Sequence, residues 1–135
     1  MGLIYLDACI LIYALEDGSD RGDSVRSAIA AAQEPLATSP LTLLECLVGP
    51  IRTGDHVLRD TYVALYDRLD VLELGSKEYL RAAELRAEHG LKTPDALHLA
   101  AAQLAGATQL WTNDKRLTVA SHGLAVDIIG GDASN

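Results

Sequence analysis

Two cysteines, Cys9 and Cys46, are all that the 135 residues contain, with no CxxC pair and no framework of even spacings such as small secreted domains carry. A disulfide scaffold is excluded, and reduced thiols in a cytoplasm are the expectation. Phenylalanine is absent, tryptophan occurs once and tyrosine five times. That is too little aromatic surface for the stacking platform on which general single-strand binders lay successive bases. Basic residues are in deficit, since 11 Lys and Arg against 19 Asp and Glu leave a net charge of −8. Such a chain repels a polyanion at long range, so any contact with nucleic acid has to be local. Long apolar runs are also missing. The stretch from Leu3 to Leu15 lacks a basic leader, is interrupted by Asp7 and falls short of a membrane span, so no export or membrane segment is expected. No Gly-rich phosphate loop occurs, and Asp7-Ala8-Cys9 lacks the second acid of an Asp-x-Asp phosphotransfer motif.

What is present is the composition of one folded domain. Hydrophobic residues make up 49% and charged residues 22%, and a chain of this length buries roughly two-thirds of its unfolded surface. Short apolar runs at Leu3 to Leu6, Leu36 to Thr38, Val71 to Leu74, Gln109 to Thr112 and Ala125 to Ile129 have the length of buried strands. Helical segments lie between them. Leu58, Tyr62, Leu65 and Leu69 line one helical face, and Tyr79, Ala82, Ala83 and Ala87 a second. Thr93-Pro94-Asp95 reads as N-cap, first-turn proline and first-turn acid of an Ala-rich helix that Gly106 closes. Strands alternating with helices predict an α/β fold with a parallel sheet covered on both faces.

In an open parallel sheet, ligands bind beyond the carboxyl ends of the strands. Acids placed where strands stop therefore carry the functional argument. Asp7 ends the first strand, where it also suits a helix cap. Asp114 follows Gln-Leu-Trp-Thr in a Thr-Asn-Asp sequence that equally forms turns. Glu45 lies one turn after Leu41 beside an apolar stripe of Leu41, Leu44 and Val48, so it should face or graze the core. A carboxylate there needs a partner, either a cation or a salt bridge such as Arg52 would give. Asp95 suits the positive end of its helix. As a set, two strand-end acids and two helical acids can converge on one pocket whose oxygen ligands suit Mg²⁺ or Mn²⁺.

Four segments carry a resemblance. Ile4-Tyr5-Leu6-Asp7, Ser39 to Leu47 around Glu45, Thr93 to Ala102 with its Pro-Asp-Ala-Leu-His sequence, and Leu110 to Arg116 with Thr-Asn-Asp resemble, in order, a PIN domain. The similarity is to the short toxin ribonucleases of bacterial and archaeal VapBC toxin–antitoxin pairs. It implies a three-layer α/β/α domain over residues 1–129, with a mostly parallel sheet of about five strands, while the Gly-Gly-Asp-Ala-Ser-Asn sequence at 130–135 reads as a loose tail. It also implies a catalytic, metal-holding quartet of Asp7, Glu45, Asp95 and Asp114, with Thr112 near the pocket. The activity implied is Mg²⁺- or Mn²⁺-dependent endoribonuclease cleavage, in a homodimer neutralised by a VapB-type antitoxin.

One departure is Cys9, where the family usually places Ser, Thr or Asn to steady the first acid. A thiol is a weaker hydrogen-bond partner, which puts the support of that acid in question and keeps open a second reading, a catalytically weak PIN-like interaction module. Lys92, Lys115 and Arg116 flank the acid segments and are candidates for meeting RNA phosphates, although solvation explains them equally well. His98 on its Ala- and Leu-rich helix reads as a packed histidine. His56, His89 and His122 show no metal-ligand spacing.

Overall fold

Ile4–Leu6 forms the central strand β1, and all three residues are buried. Alternation along a strand sends Ile4 and Leu6 to one face and Tyr5 to the other, and two hydrophobic cores follow from that division. Around Ile4 and Leu6 pack α1 (Ala8–Glu16), α2 (Asp20–Ala31), α3 (Pro40–Thr53) and α4 (His56–Asp67). Tyr5 joins α5 (Ser76–His89), α6 (Thr93–Leu104) and α7 (Lys115–Ala120). The remaining strands are β2 (Leu36–Thr38), β3 (Asp70–Val71), β4 (Gln109–Trp111) and β5 (Ala125–Val126). The result is a five-stranded sheet between two helical layers. This is a computed structural model that describes residues 2–129, so the tail expected at 130–135 lies outside the described residues.

The sheet order is β3-β2-β1-β4-β5 and every pairing is parallel. From β1 the chain winds outward through β2 to β3, then returns to the other side of β1 as β4. The strand order therefore reverses between β1 and β4, and at such a switch point a crevice opens beyond the carboxyl ends. Leu6 is in register with Trp111. Asp7 and Thr112, the next residue of each strand, stand side by side at the lip of that crevice.

Several expectations are corrected. The strands expected at Val71 to Leu74 and Ala125 to Ile129 shrink to two residues each, because β3 and β5 are the sheet edges. Leu72 and Leu74 still pack on the core, so the apolar run marks burial and not pairing. On α5 only Ala82 of the predicted face is buried, while Glu78 and Leu85 complete the inner side and Tyr79 is 55% exposed. On α3 the inner side is Thr42, Cys46 and Pro50; of the expected stripe Leu41 packs on the core, while Leu44 and Val48 are turned outward, Leu44 at 61% exposure. Thr93 is the first residue of α6 and Lys92 is its cap, a one-residue shift at a boundary. Gly106 does end the helix, at φ 72°, a backbone state open to glycine. Leu58, Leu65 and Leu69 pack with Tyr62 in the core beneath α1.

Candidate active site

Asp7 leaves β1 and caps α1, its Oδ1 accepting from the Ile10 amide at 3.3 Å. Capping and placement at the crevice are thus one act. Its side chain is buried at 6% exposure, and the Cys9 thiol donates to the same Oδ1 at 2.9 Å. Burial raises the Asp7 pKa, while hydrogen bonds from Cys9 and Thr112 oppose the rise. Burial and the Asp7 charge push the Cys9 thiol up in turn, which keeps it protonated and able to donate. The weaker partner at position 9 therefore does what a hydroxyl would do.

Thr112 is fully buried. It turns the chain after β4, its Oγ1 accepting from the Asp114 amide at 3.1 Å. Asp114 then caps α7 by accepting from the Arg116 amide at 2.8 Å, with the Arg116 guanidinium 3.6 Å away. Asp95 sits in the first turn of α6. Its pKa is raised by burial first and by the adjoining Asp114 carboxylate second. Two acids from separate segments are thus close enough to feel each other.

Glu45 projects from α3, and its partner is not Arg52 but His98, whose Nε2 lies 2.6 Å from Oε1. Behind it, His98 Nδ1 is 2.8 Å from the Tyr5 hydroxyl, which is 2.7 Å from Ser39 Oγ. An ionised carboxylate only accepts, so Nε2 carries the proton. In the neutral ring Nδ1 then accepts from Tyr5, and the phenol accepts from Ser39. Burial pushes the Tyr5 phenol up, so it stays a donor. Sequence context gives His98 a packing role alone. The signal it passes over is the pairing of a buried Tyr on β1 with a His one turn after Asp95, which only the parallel register brings together.

Asp7, Glu45, Asp95 and Asp114 line one cleft of about 570 Å³, with His98, Lys115 and Arg116 also on its wall. Lys92 is not part of it. Among the described residues no three His, Cys, Asp or Glu side chains stand close enough to close around one ion. The acids ring an open mouth instead. A set of carboxylate oxygens suits a hard divalent cation, and two of its members are held in surroundings that penalise their charge, which a cation would relieve.

No curated protein matches the chain closely enough to count as a relative. Among solved structures, a toxin–antitoxin complex from Klebsiella pneumoniae is 26% identical, with 95% of this chain and 98% of that chain covered and a TM-score of 0.76. VapC20 of Mycobacterium tuberculosis, described as a sarcin–ricin-loop-cleaving toxin, is 18% identical over 87% of this chain and 94% of its own, with a TM-score of 0.76. VapBC2 of Rickettsia felis, bound to a promoter DNA fragment, is 19% identical over 92% and 97%, with a TM-score of 0.73. These last two share the fold. The PIN domain family model matches residues 4–122, and with Asp7, Glu45, Asp95 and Asp114 all inside that span, the chain belongs to the PIN domain family.

Proposed function

We propose that this PIN domain is an Mg²⁺- or Mn²⁺-dependent endoribonuclease and the toxin of a toxin–antitoxin pair. The observation that carries the reading is that four acids from four separate segments line one cleft at the strand-order reversal of a parallel sheet. Asp7, Glu45, Asp95 and Asp114, which ring the cleft mouth, would hold one or two cations between them. Bound there, Mg²⁺ or Mn²⁺ lowers the pKa of a water and neutralises charge developing on the phosphoryl oxygens.

The chain's own residues do the positioning. Cys9, Thr112 and the Ile10 amide fix the Asp7 carboxylate, and His98 fixes Glu45. Lys115 and Arg116 reverse the sign of the acidic surface on one wall of the cleft, where a substrate phosphate needs it. Water attacks phosphorus in line and the 3′ oxygen leaves, so the products carry a 5′-phosphate and a 3′-hydroxyl. The likeness to the Klebsiella complex supports an antitoxin partner, and the family supports a homodimer. The weak-module reading rests on Cys9; the hydrogen bond from that thiol to Asp7 supports the enzyme reading, and cleavage of RNA decides between the two.

The test is cleavage of a structured RNA by the purified, partner-free chain. Cleavage is expected with added Mn²⁺, none in EDTA, and none for Asp7→Asn or Asp95→Asn. Full activity in EDTA, or in either variant, overturns the reading.

A further inference from the structure

The acidic cleft runs on at both ends into smaller cavities. At one end Ile12 and Tyr13 continue into a hollow that includes Glu16, Asp17 and Arg21. Two acids, Glu16 and Asp17, stand there against the single cation Arg21, which is bonded to Asp17 at 2.7 Å and stacked on the Tyr13 ring at 4.1 Å, so that end repels an anion. At the other end Lys115 and Arg116 belong both to the cleft and to a neighbouring cavity of about 280 Å³, whose other walls are His89, Val119 and Ala120. The cations thus stand between the acids and a second compartment.

That compartment has two unlike walls. Lys115 and Val119 are four residues apart on α7 and share a face. Val119 is 78% exposed, an aliphatic side chain held in water beside cations. Opposite, the His89 ring meets the His122 ring edge to face with centroids 6.2 Å apart. His122 holds φ 54°, a left-handed backbone that a non-glycine residue adopts at a cost. Glu88 lies 3.7 Å from His89.

We infer that this cavity is a nucleotide subsite, receiving the nucleotide next to the cut bond, with its base against Val119 and His89 and its phosphate at Lys115 and Arg116. The charge contrast chooses the direction, because the strand leaves the acids over α7 and not over α1. A free phosphate would need only the cations, whereas the apolar wall and the imidazole ring make contact with a base. The inference rests on the ribonuclease reading but is tested apart from it.

The experiment uses the metal-free full chain, titrated with 5′-AMP, with adenosine and with inorganic phosphate, and followed at the His89 and His122 ring signals by NMR. The nucleotide is expected to shift both rings saturably, phosphate to bind more weakly, and Val119→Asp to abolish the shifts. With an active preparation, Val119→Asp should raise KM for RNA on the order of tenfold, the effect of removing one base-binding wall. Unmoved ring signals, or an unaltered titration in Val119→Asp, overturn the subsite. Phosphate matching the nucleotide reduces it to an anion site and overturns it as well. Nucleotide binding by a chain that cuts no RNA would keep the subsite and remove the enzyme reading.

Discussion

A carboxylate that is both buried and crowded works against the fold that holds it. Asp7 has its pKa raised by burial, so between the unfolded value, about 3.9, and the higher folded one the native state binds more protons than the unfolded state. Stability therefore falls as pH rises through that window, and the deficit is complete above the folded pKa. Asp7→Asn removes the titration and keeps an N-cap that can still accept from Ile10. In EDTA the variant is expected to be more stable than the parent at neutral pH, with the difference shrinking in acid. Each kcal/mol of added stability is worth roughly 4 °C in Tm for a chain of this size, and urea unfolding across pH measures it directly. A second test concerns His98. Gln can present its amide where Nε2 stood, while Asn can only reach the Tyr5 side. Each variant leaves one former partner of His98 unpaired, Gln the Tyr5 hydroxyl and Asn the Glu45 carboxylate, at a cost of about 1–3 kcal/mol. Only His98→Asn should also weaken Mn²⁺ binding, by about 10–100-fold, as calorimetry would show. Equal effects in the two would make His98 a packing residue, as its sequence context suggests.

At the scale of elements, α3 shows how a stripe of apolar residues misleads. Leu44, Val48 and Ile51 share a face that is largely in water, while the buried side uses Thr42, Cys46 and Pro50. Leu44→Gln and Ile51→Gln should thus change unfolding free energy by no more than about 0.5 kcal/mol, as surface substitutions do. The contrast is α6, where Ala96, Ala100 and Ala102 are entirely buried. Ala100→Leu should cost about 1–3 kcal/mol by overpacking. Chemical denaturation of both sets checks which face of each helix the core uses. The alanines of α6 are legible in sequence because their density has no other use. On α3 the exposed face, Leu44, Val48 and Ile51, is the more apolar by residue type, and only tertiary packing puts Thr42, Cys46 and Pro50 inside.

For the whole molecule, the acids that weaken the metal-free chain should make its stability respond to a cation. Mn²⁺ at a hundredfold excess over its Kd should stabilise the parent by about 2.7 kcal/mol, with little effect on Asp7→Asn, as thermal unfolding with and without Mn²⁺ would show. On the proposed reading, a net charge of −8 leaves the cleft wall with Lys115 and Arg116 to meet RNA. Replacing Lys115 and Arg116 by alanine should then flatten the salt dependence of RNA binding by about 0.7 for each phosphate no longer neutralised. By itself the sequence determined the alternation of strands and helices, the parallel sheet, and the segments where the four acids lie. Those are local properties, since period, chain order and turn chemistry are written in consecutive residues. Only the tertiary structure decided that Cys9 serves Asp7, that Glu45 is held by His98, Tyr5 and Ser39, that Lys92 stays off the cleft while Lys115 and Arg116 join it, and that α3 turns Leu44 and Val48 outward. Each of these depends on which distant segments the register of β1 against β2 and β4 brings together, and no spacing along the chain encodes a distance across the sheet.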